Sequence, residues 1–375
     1  MIILSIAAVI GILLFLQKIL YAKLWDYKLH MKLAFSAKEA FEGDRLTLTE
    51  ELTNAKLLPL PWVTAKFQLS RNIRFVEAGD TGISDEYNQN DMFSINMFQR
   101  ITRKLEFICQ KRGYYRIKSM SLVSSNLMAS DKLVKQLDCN EELVVYPSFV
   151  QFQGLDILFN KLYGDIEIKR FTNPDPFAFS GIRDYRPGDA FNTVNFKATA
   201  KTGQLMVNIN SSTAARDLVI ILDVQPYANW YDEEIIEEAI RIAASAADKF
   251  INMGFSVGLV SNGCDALSKE PVRILTGSGN GHFNNIIDKL ARIDLSISPE
   301  PISGRLYSLR DMDTVYMLVS CCTNDNIVNA YGEMLAVGMS ARWILPVPEG
   351  AETEDIEATG LVTSIHRKAV VKIAV

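Results

Sequence analysis

From residue 216 to about residue 350 the sequence alternates short apolar runs with amphipathic helical repeats, and this alternation limits the fold more than any other feature. DLVIILD at 217–223 is a continuous apolar run of the kind expected of a strand buried on both faces. In the following YDEEIIEEAIRIAASAADKFINMG, Ile236, Ile240, Ala243, Ala247 and Phe250 recur at helical spacing, with acids in the first turns and Gly254 as a stop. FSVGLVS, TVYMLVS and RWILPVP then read as strands, and GHFNNIIDKLARI and NIVNAYGEMLAVGM as helices. A strand and helix order of this kind closes only as a doubly wound, mostly parallel sheet with helices on both faces. The tail at 351–375 ends in AVVKIAV, expected to add an edge strand.

The residues before this region follow a different period. From 33 to about 150, Leu46 and Leu48 alternate with threonines, Val63, Ala65, Phe67 and Leu69 share one face, and Leu105, Phe107 and Cys109 repeat the pattern. Short strands between turn-rich segments predict a small antiparallel β-sandwich. KLLPLPW at 56–62 is expected to be a loop or edge because neither Pro59 nor Pro61 can donate a ladder hydrogen bond. Residues 79–91 read as a polar, acidic loop.

At the amino terminus, Met1 to Gln17 carry no charge, and Lys18 is followed by Ile19, Leu20 and Tyr21. Lys18 can snorkel, so residues 1–21 are expected to form a transmembrane helix. No basic residue precedes the run and Lys18, Lys23, Lys28 and Lys32 follow it, which places the bulk of the chain on the cytoplasmic side of the cell membrane as a single-pass protein. Trp25 and Tyr27 are expected near the interface. The five cysteines, Cys109, Cys139, Cys264, Cys321 and Cys322, lack the pairing of a zinc site or disulfide framework and suit a reducing compartment. A formal net charge of -5 argues against nucleic acid as a partner.

Residues 151–215 connect the two regions and carry GIRDYRPGDAFNTVNFKATAKTG at 181–203. Arg183, Asp184, Arg186, Asp189, Lys197 and Lys201 mix signs around a Pro187-Gly188 turn, with Tyr185, Phe191 and Phe196 as aromatic surface. Two readings are open. Arg183 and Asp189 pair internally while Tyr185 and Phe196 pack on the sheet, or the charges face a partner. Arg186, Lys197 and Lys201 are the better recognition candidates.

This segment resembles a family of bacterial proteins known as domain of unknown function 58, whose domain looks like a divergent von Willebrand factor A fold. The family pattern, roughly G-x-R-x-Y-x-x-G-D-x-x-R-x-I-x-W-K-x-(S/T)-A-R, lies over Gly181, Arg183, Tyr185, Gly188, Asp189, Lys197, Thr199 and Ala200. The sequence departs from it at Asn192, Phe196 and Lys201, where Arg, Trp and Arg are usual. RGYYRI at 112–117, LVVYPS at 143–148 and ILD at 221–223 follow in the family's order. The resemblance implies an α/β von Willebrand factor A-like domain at 216–350 behind the membrane helix and the sandwich. Family members commonly occur beside MoxR-type AAA+ ATPases, which implies a membrane-anchored interaction module or adaptor with such an ATPase as partner, acting in envelope or complex assembly.

Two competing functions fit the residues. A metal-binding von Willebrand A domain carries D-x-S-x-S after its first strand, where oxygen ligands hold a divalent cation. Here the stretch is Asp223-Val224-Gln225-Pro226-Tyr227, so Asp223 and Gln225, with Ser320, Thr323 or Asp325 from another strand end, are the degenerate site candidates and no cofactor is expected. An enzyme would use a strand-end cysteine, Cys321 or Cys322, or the Asp223 carboxylate. No nucleophile elbow, P-loop or HExxH is present, and GSGNGH at 277–282 lacks the lysine of a phosphate cradle. No catalytic residue is therefore assigned.

Overall fold

The structure is a computed structural model that describes residues 12, 15–70, 72–76, 86–125, 132–150, 164, 179–210, 217–226, 233–309, 311–312, 314–347 and 362–366. It divides into two compact units, Met1–Ser148 and Phe149–Val375.

In the first unit, residues 15–24 are helical and lead into two sheets. One orders β1 (Leu29–Phe35), β3 (Arg45–Asn54), β7 (Arg100–Cys109) and β5 (Ile73–Phe75). The other orders β2 (Glu39–Phe41), β9 (Lys132–Tyr146), β8 (Gly113–Ser125), β4 (Leu60–Ser70) and β6 (Glu86–Ile95). Neighbours are antiparallel except β2, a three-residue strand parallel to β9. Because side chains alternate along a strand, Val63, Ala65, Phe67 and Leu69 all turn into a core that Leu48, Leu52, Phe107 and Ile117 fill from the other strands.

The same alternation carries two acids inward. Glu50 stands between Leu48 and Leu52 on the buried face of β3, and Asp91 lies two residues before Phe93 on β6 of the opposite sheet. Pro61 lies inside β4 rather than in a loop. The ladder tolerates it because the pairing with β6 shifts register between Leu60 and Val63, at a bulge where no donor is needed. Residues 86–91, expected in the acidic loop, belong to β6, where they pair with Ala65 to Ser70; residues 79–85 lie outside the described residues. Tyr21, expected at the end of the membrane helix, and Trp25, expected near the interface, are buried in the sandwich core, whereas Tyr27 is exposed. Among the described residues no helix is long and apolar enough to cross a membrane; residues 1–11, 13 and 14 of the apolar run lie outside them.

In the second unit, β10 (Phe179–Asp184) and β11 (Met206–Asn210) form a two-stranded antiparallel sheet, joined through a 3-10 turn at Phe191–Thr193 and helix α1 (Phe196–Thr202). The larger sheet orders β14 (Pro271–Gly277), β13 (Ser256–Asp265), β12 (Asp217–Leu222), β16 (Val315–Val319), β17 (Ser340–Val347) and β18 (Val362–His366), with the two-residue β15 (Ile293–Asp294) against β13. All pairs in the main path are parallel except β13 with β14. Numbered in chain order, its six main strands lie 3-2-1-4-5-6, the order of a doubly wound sheet. The edge strand expected in AVVKIAV lies outside the described residues; β18 occupies the edge at Val362–His366.

Helices cover both faces. Leu218, Ile220 and Leu222 of β12 pack with α2 (Glu233–Asn252) and α3 (Asn280–Ala291), while Ile221 packs with α4 (Ser303–Ser308) and α5 (Asp325–Ala336). Alanines 239, 243, 244, 246 and 247 let α2 approach the sheet closely, and Gly254, at φ 84, ends it in the left-handed conformation that glycine takes freely.

Candidate functional site

Two constellations bear on function. The first is the motif at 181–203. Arg183 and Asp189 form a two-pronged pair, with guanidinium nitrogens 2.6 and 2.8 Å from the two carboxylate oxygens. The Arg186 backbone N–H also donates to Asp189, at 2.8 Å. The Arg183 hydrogen bond and then the Arg186 N–H hold the Asp189 carboxyl down at about 2. Gly188 adopts φ 109 inside this turn, a conformation that a side chain resists.

The rest of the motif is secured from within. The Asn195 side chain accepts from the Ala198 N–H at the start of α1 and donates to Asn208 of β11 at 2.7 Å. Thr199 Oγ1 accepts from the Met206 N–H at 3.0 Å, and Gly203 closes the helix at φ 76. Val194 and Val207 are buried against each other through an isolated bridge.

Internal pairing of Arg183 and Asp189 is thus realised, whereas packing of Phe196 on the sheet is not. Phe196 is 65% exposed and Phe191 70%, and the two rings meet edge to face at 6.0 Å. Arg186, Lys197 and Lys201 are exposed around them. Asp189 is spent on Arg183, so this surface carries three cations against the single exposed acid Asp184.

The second constellation sits where the sheet's winding reverses, past the carboxyl end of β12 between β13 and β16. Asp223 is fully buried. Its Oδ1 accepts from Asn262 Nδ2 at 2.7 Å and from the Gln225 N–H at 3.0 Å, and its Oδ2 accepts from Ser320 Oγ at 2.7 Å. Burial pushes the Asp223 carboxyl up, against these three hydrogen bonds. Asn262 also accepts from the Val224 N–H and donates to the Glu300 carbonyl, and Trp343 Nε1 donates to the Ser320 carbonyl. Asn262 and Gly263 continue β13.

A divalent cation does not fit this arrangement. The donors around Asp223 turn hydrogens, not lone pairs, toward the place a metal would take. Gln225 Oε1 is buried without a hydrogen-bond partner among the described residues, Thr323 is half-buried, and Asp325 is exposed at the first turn of α5, which Asn324 caps. Among the described residues no group of three or more His, Cys, Asp or Glu side chains is placed to hold a metal. Cys321 and Cys322 are buried; Cys321 Sγ donates to the Gln225 carbonyl, and burial pushes the Cys322 thiol up, the reverse of what a thiolate nucleophile requires.

Sequence reasoning names Asp223, Ser320 and the strand end Ser261-Asn262-Gly263, but it does not pair Asn262 with Asp223 and does not name Trp343. The available signal was the polar pair Ser261-Asn262 at the end of an apolar run, where a buried amide needs a partner.

Among known proteins, a 250-residue stretch is 22% identical to the uncharacterized protein YeaD of Bacillus subtilis (strain 168), covering 66% of this chain and 58% of that relative's length. Solved structures with local similarity include a CARDB domain from Pyrococcus furiosus (10% identity, 32% of this chain and 90% of that one, TM-score 0.20) and a non-cellulosomal cohesin from Archaeoglobus fulgidus (9%, 31% and 90%, TM-score 0.22). Similarity at that level carries no structural argument. Residues 181–316, which hold the motif and, of the second constellation, Asp223 and Asn262, match the model of the family described as "Protein of unknown function DUF58".

Proposed function

We propose that the chain is a membrane-anchored cytoplasmic interaction module, with a von Willebrand factor A-like α/β unit, that docks a MoxR-type AAA+ ATPase through the surface of the 181–203 motif. One observation carries the reading: the motif spends its own hydrogen bonds on holding a shape, and that shape presents Phe191, Phe196, Arg186, Lys197 and Lys201 to solvent. An exposed aromatic pair ringed by cations suits a protein partner with an acidic, apolar face. The 3-10 turn and α1 keep this surface folded in the free chain, which lowers the ordering cost of binding. The identity of the ATPase partner and a role in envelope or complex assembly come from the family resemblance.

The test is affinity purification of the tagged chain from gently solubilised membranes, beside an Arg186→Glu, Lys197→Glu variant. Recovery of an AAA+ ATPase with the wild type and its loss with the variant is the expected outcome. Equal recovery with both would move the docking surface away from the motif, and recovery with neither would remove the partner.

A further inference from the structure

We infer that the end of the sandwich beside the amino-terminal helix is a lipid-facing collar, in which Tyr27, Leu57, Met97 and Phe98 enter the interfacial layer of the bilayer. This inference rests on the membrane-anchor reading above and adds a second attachment to it.

Three loops meet at that end. The helix exit at 25–28 is joined to the β3–β4 loop by the Ala55 N–H donating to the Lys28 carbonyl at 3.0 Å. The β3–β4 loop is joined to the β6–β7 turn by the Phe98 N–H donating to the Lys56 carbonyl at 3.3 Å. Asn54 ties the group together, donating from one amide nitrogen to the carbonyls of Leu58 and Asn96. These backbones are fixed, yet their tips are apolar and in water: Leu57 is 73% exposed, Phe98 67%, and Met97 and Tyr27 54% each. Scattered single apolar side chains on a surface need no explanation, but four on three loops bonded to one another form a patch.

Phe98 adds a separate reason. Its φ of 49 lies in the left-handed region, where a turn ordinarily places Gly or Asn and a bulky residue is strained. A phenylalanine held there against its preference, with its ring outward, is a sign of function.

The occupant follows from how the helix enters. Tyr21, four residues past the end of the uncharged run, is buried in the sandwich core, and its hydroxyl donates to the Pro59 carbonyl at 2.6 Å; Trp25, one turn on, is buried as well. The helix therefore docks on the sandwich before it ends, with no linker between them. On the same helix Phe15, Leu16, Ile19 and Leu20 are exposed. If the apolar run that precedes Tyr21 spans a bilayer, its surface must pass within a turn or two of these loops. Lys18, Lys23 and Lys28 are exposed around the same end, and the Lys28 ammonium lies 5.4 Å from the Tyr27 ring centroid. Aromatic rings with basic neighbours are the residue set that settles at headgroup level, and the lysines complement anionic lipid.

The test uses the full chain in vesicles of phosphatidylcholine and phosphatidylglycerol. Cys264, the one cysteine that is not buried, is replaced by serine, and an environment-sensitive fluorophore is placed on Leu57→Cys, Phe98→Cys or, at the far end of β3, Arg45→Cys. Quenching by nitroxide-labelled lipid several-fold stronger at positions 57 and 98 than at 45 is expected. Equal, weak quenching at all three, in protein that survives an alkaline carbonate wash, would overturn the collar and leave the anchor standing. Loss of the chain in that wash would overturn the anchor and the collar together. Unchanged cooperative unfolding of each labelled variant excludes a folding artefact.

Discussion

Glu50 and Asp91 show how one side chain sets a pH dependence for a whole unit. Glu50 is fully buried on β3, facing Asp91 on β6, and Asp91 is ion-paired with Arg103, which stands opposite Glu50 on β7. Burial pushes the Glu50 carboxyl up to about 8 from its ordinary 4.5; the nearby Asp91 charge adds to the rise, and Arg103 opposes it. At neutral pH Glu50 thus keeps its proton. Between 4.5 and 8 the folded chain binds that proton and the unfolded chain does not. The stability this site contributes is full below 4.5 and drains as pH rises through 8, by up to ~1.4 kcal/mol per pH unit. Glu50→Gln, which cannot ionise, removes the slope. Urea midpoints of wild type and variant should diverge between pH 5 and pH 8.5, with the variant gaining at the higher pH; parallel curves would refute the raised Glu50 carboxyl.

The charged motif is the element whose parts are easiest to separate. Asn195 both caps α1 and bridges to Asn208, so Asn195→Ala should cost the hairpin about 1 kcal/mol, read as faster amide exchange in 196–207 with exchange in α2 unchanged. Gly263 has a different job inside β13. A Cβ there would stand 2.7 Å from Ile293 Cγ2 and 3.2 Å from Val224 Cγ2, so Gly263→Ala should cost on the order of 1–3 kcal/mol, measured by denaturant unfolding.

These elements also show what a sequence discloses. The buried strand at 217–222 is legible as one unbroken apolar run, and the helix at 233–252 because its apolar residues keep one period. Pro61 misled because a bulge, a tertiary feature, removes the penalty that marks proline as a strand breaker. Arg183 and Asp189 could be paired by spacing and charge alone, but the exposure of Phe196 could not be read, since an aromatic residue has the same local signature in a core or on a surface. The pairing of Asn262 stayed hidden because its partners, Asp223 and the Glu300 carbonyl, are 39 and 38 residues away.

The molecule as a whole holds two units with separate cores, one built on Leu48, Phe107 and Ile117 and one on Ile220, Ile240 and Met317. Calorimetry of the full chain should therefore resolve two transitions, of which Glu50→Gln displaces only the one belonging to the sandwich; a single transition displaced as a whole would show the units to unfold together.

The Asp223 cluster has a consequence in time. Its carboxylate leaves the ribosome 39 residues before Asn262 and 97 before Ser320, and Trp343, which secures the Ser320 carbonyl, follows 23 residues later still. Burial of a carboxylate without its donors is costly, so the end of the first strand is expected to pack only after the strands that carry Asn262 and Ser320 are in place.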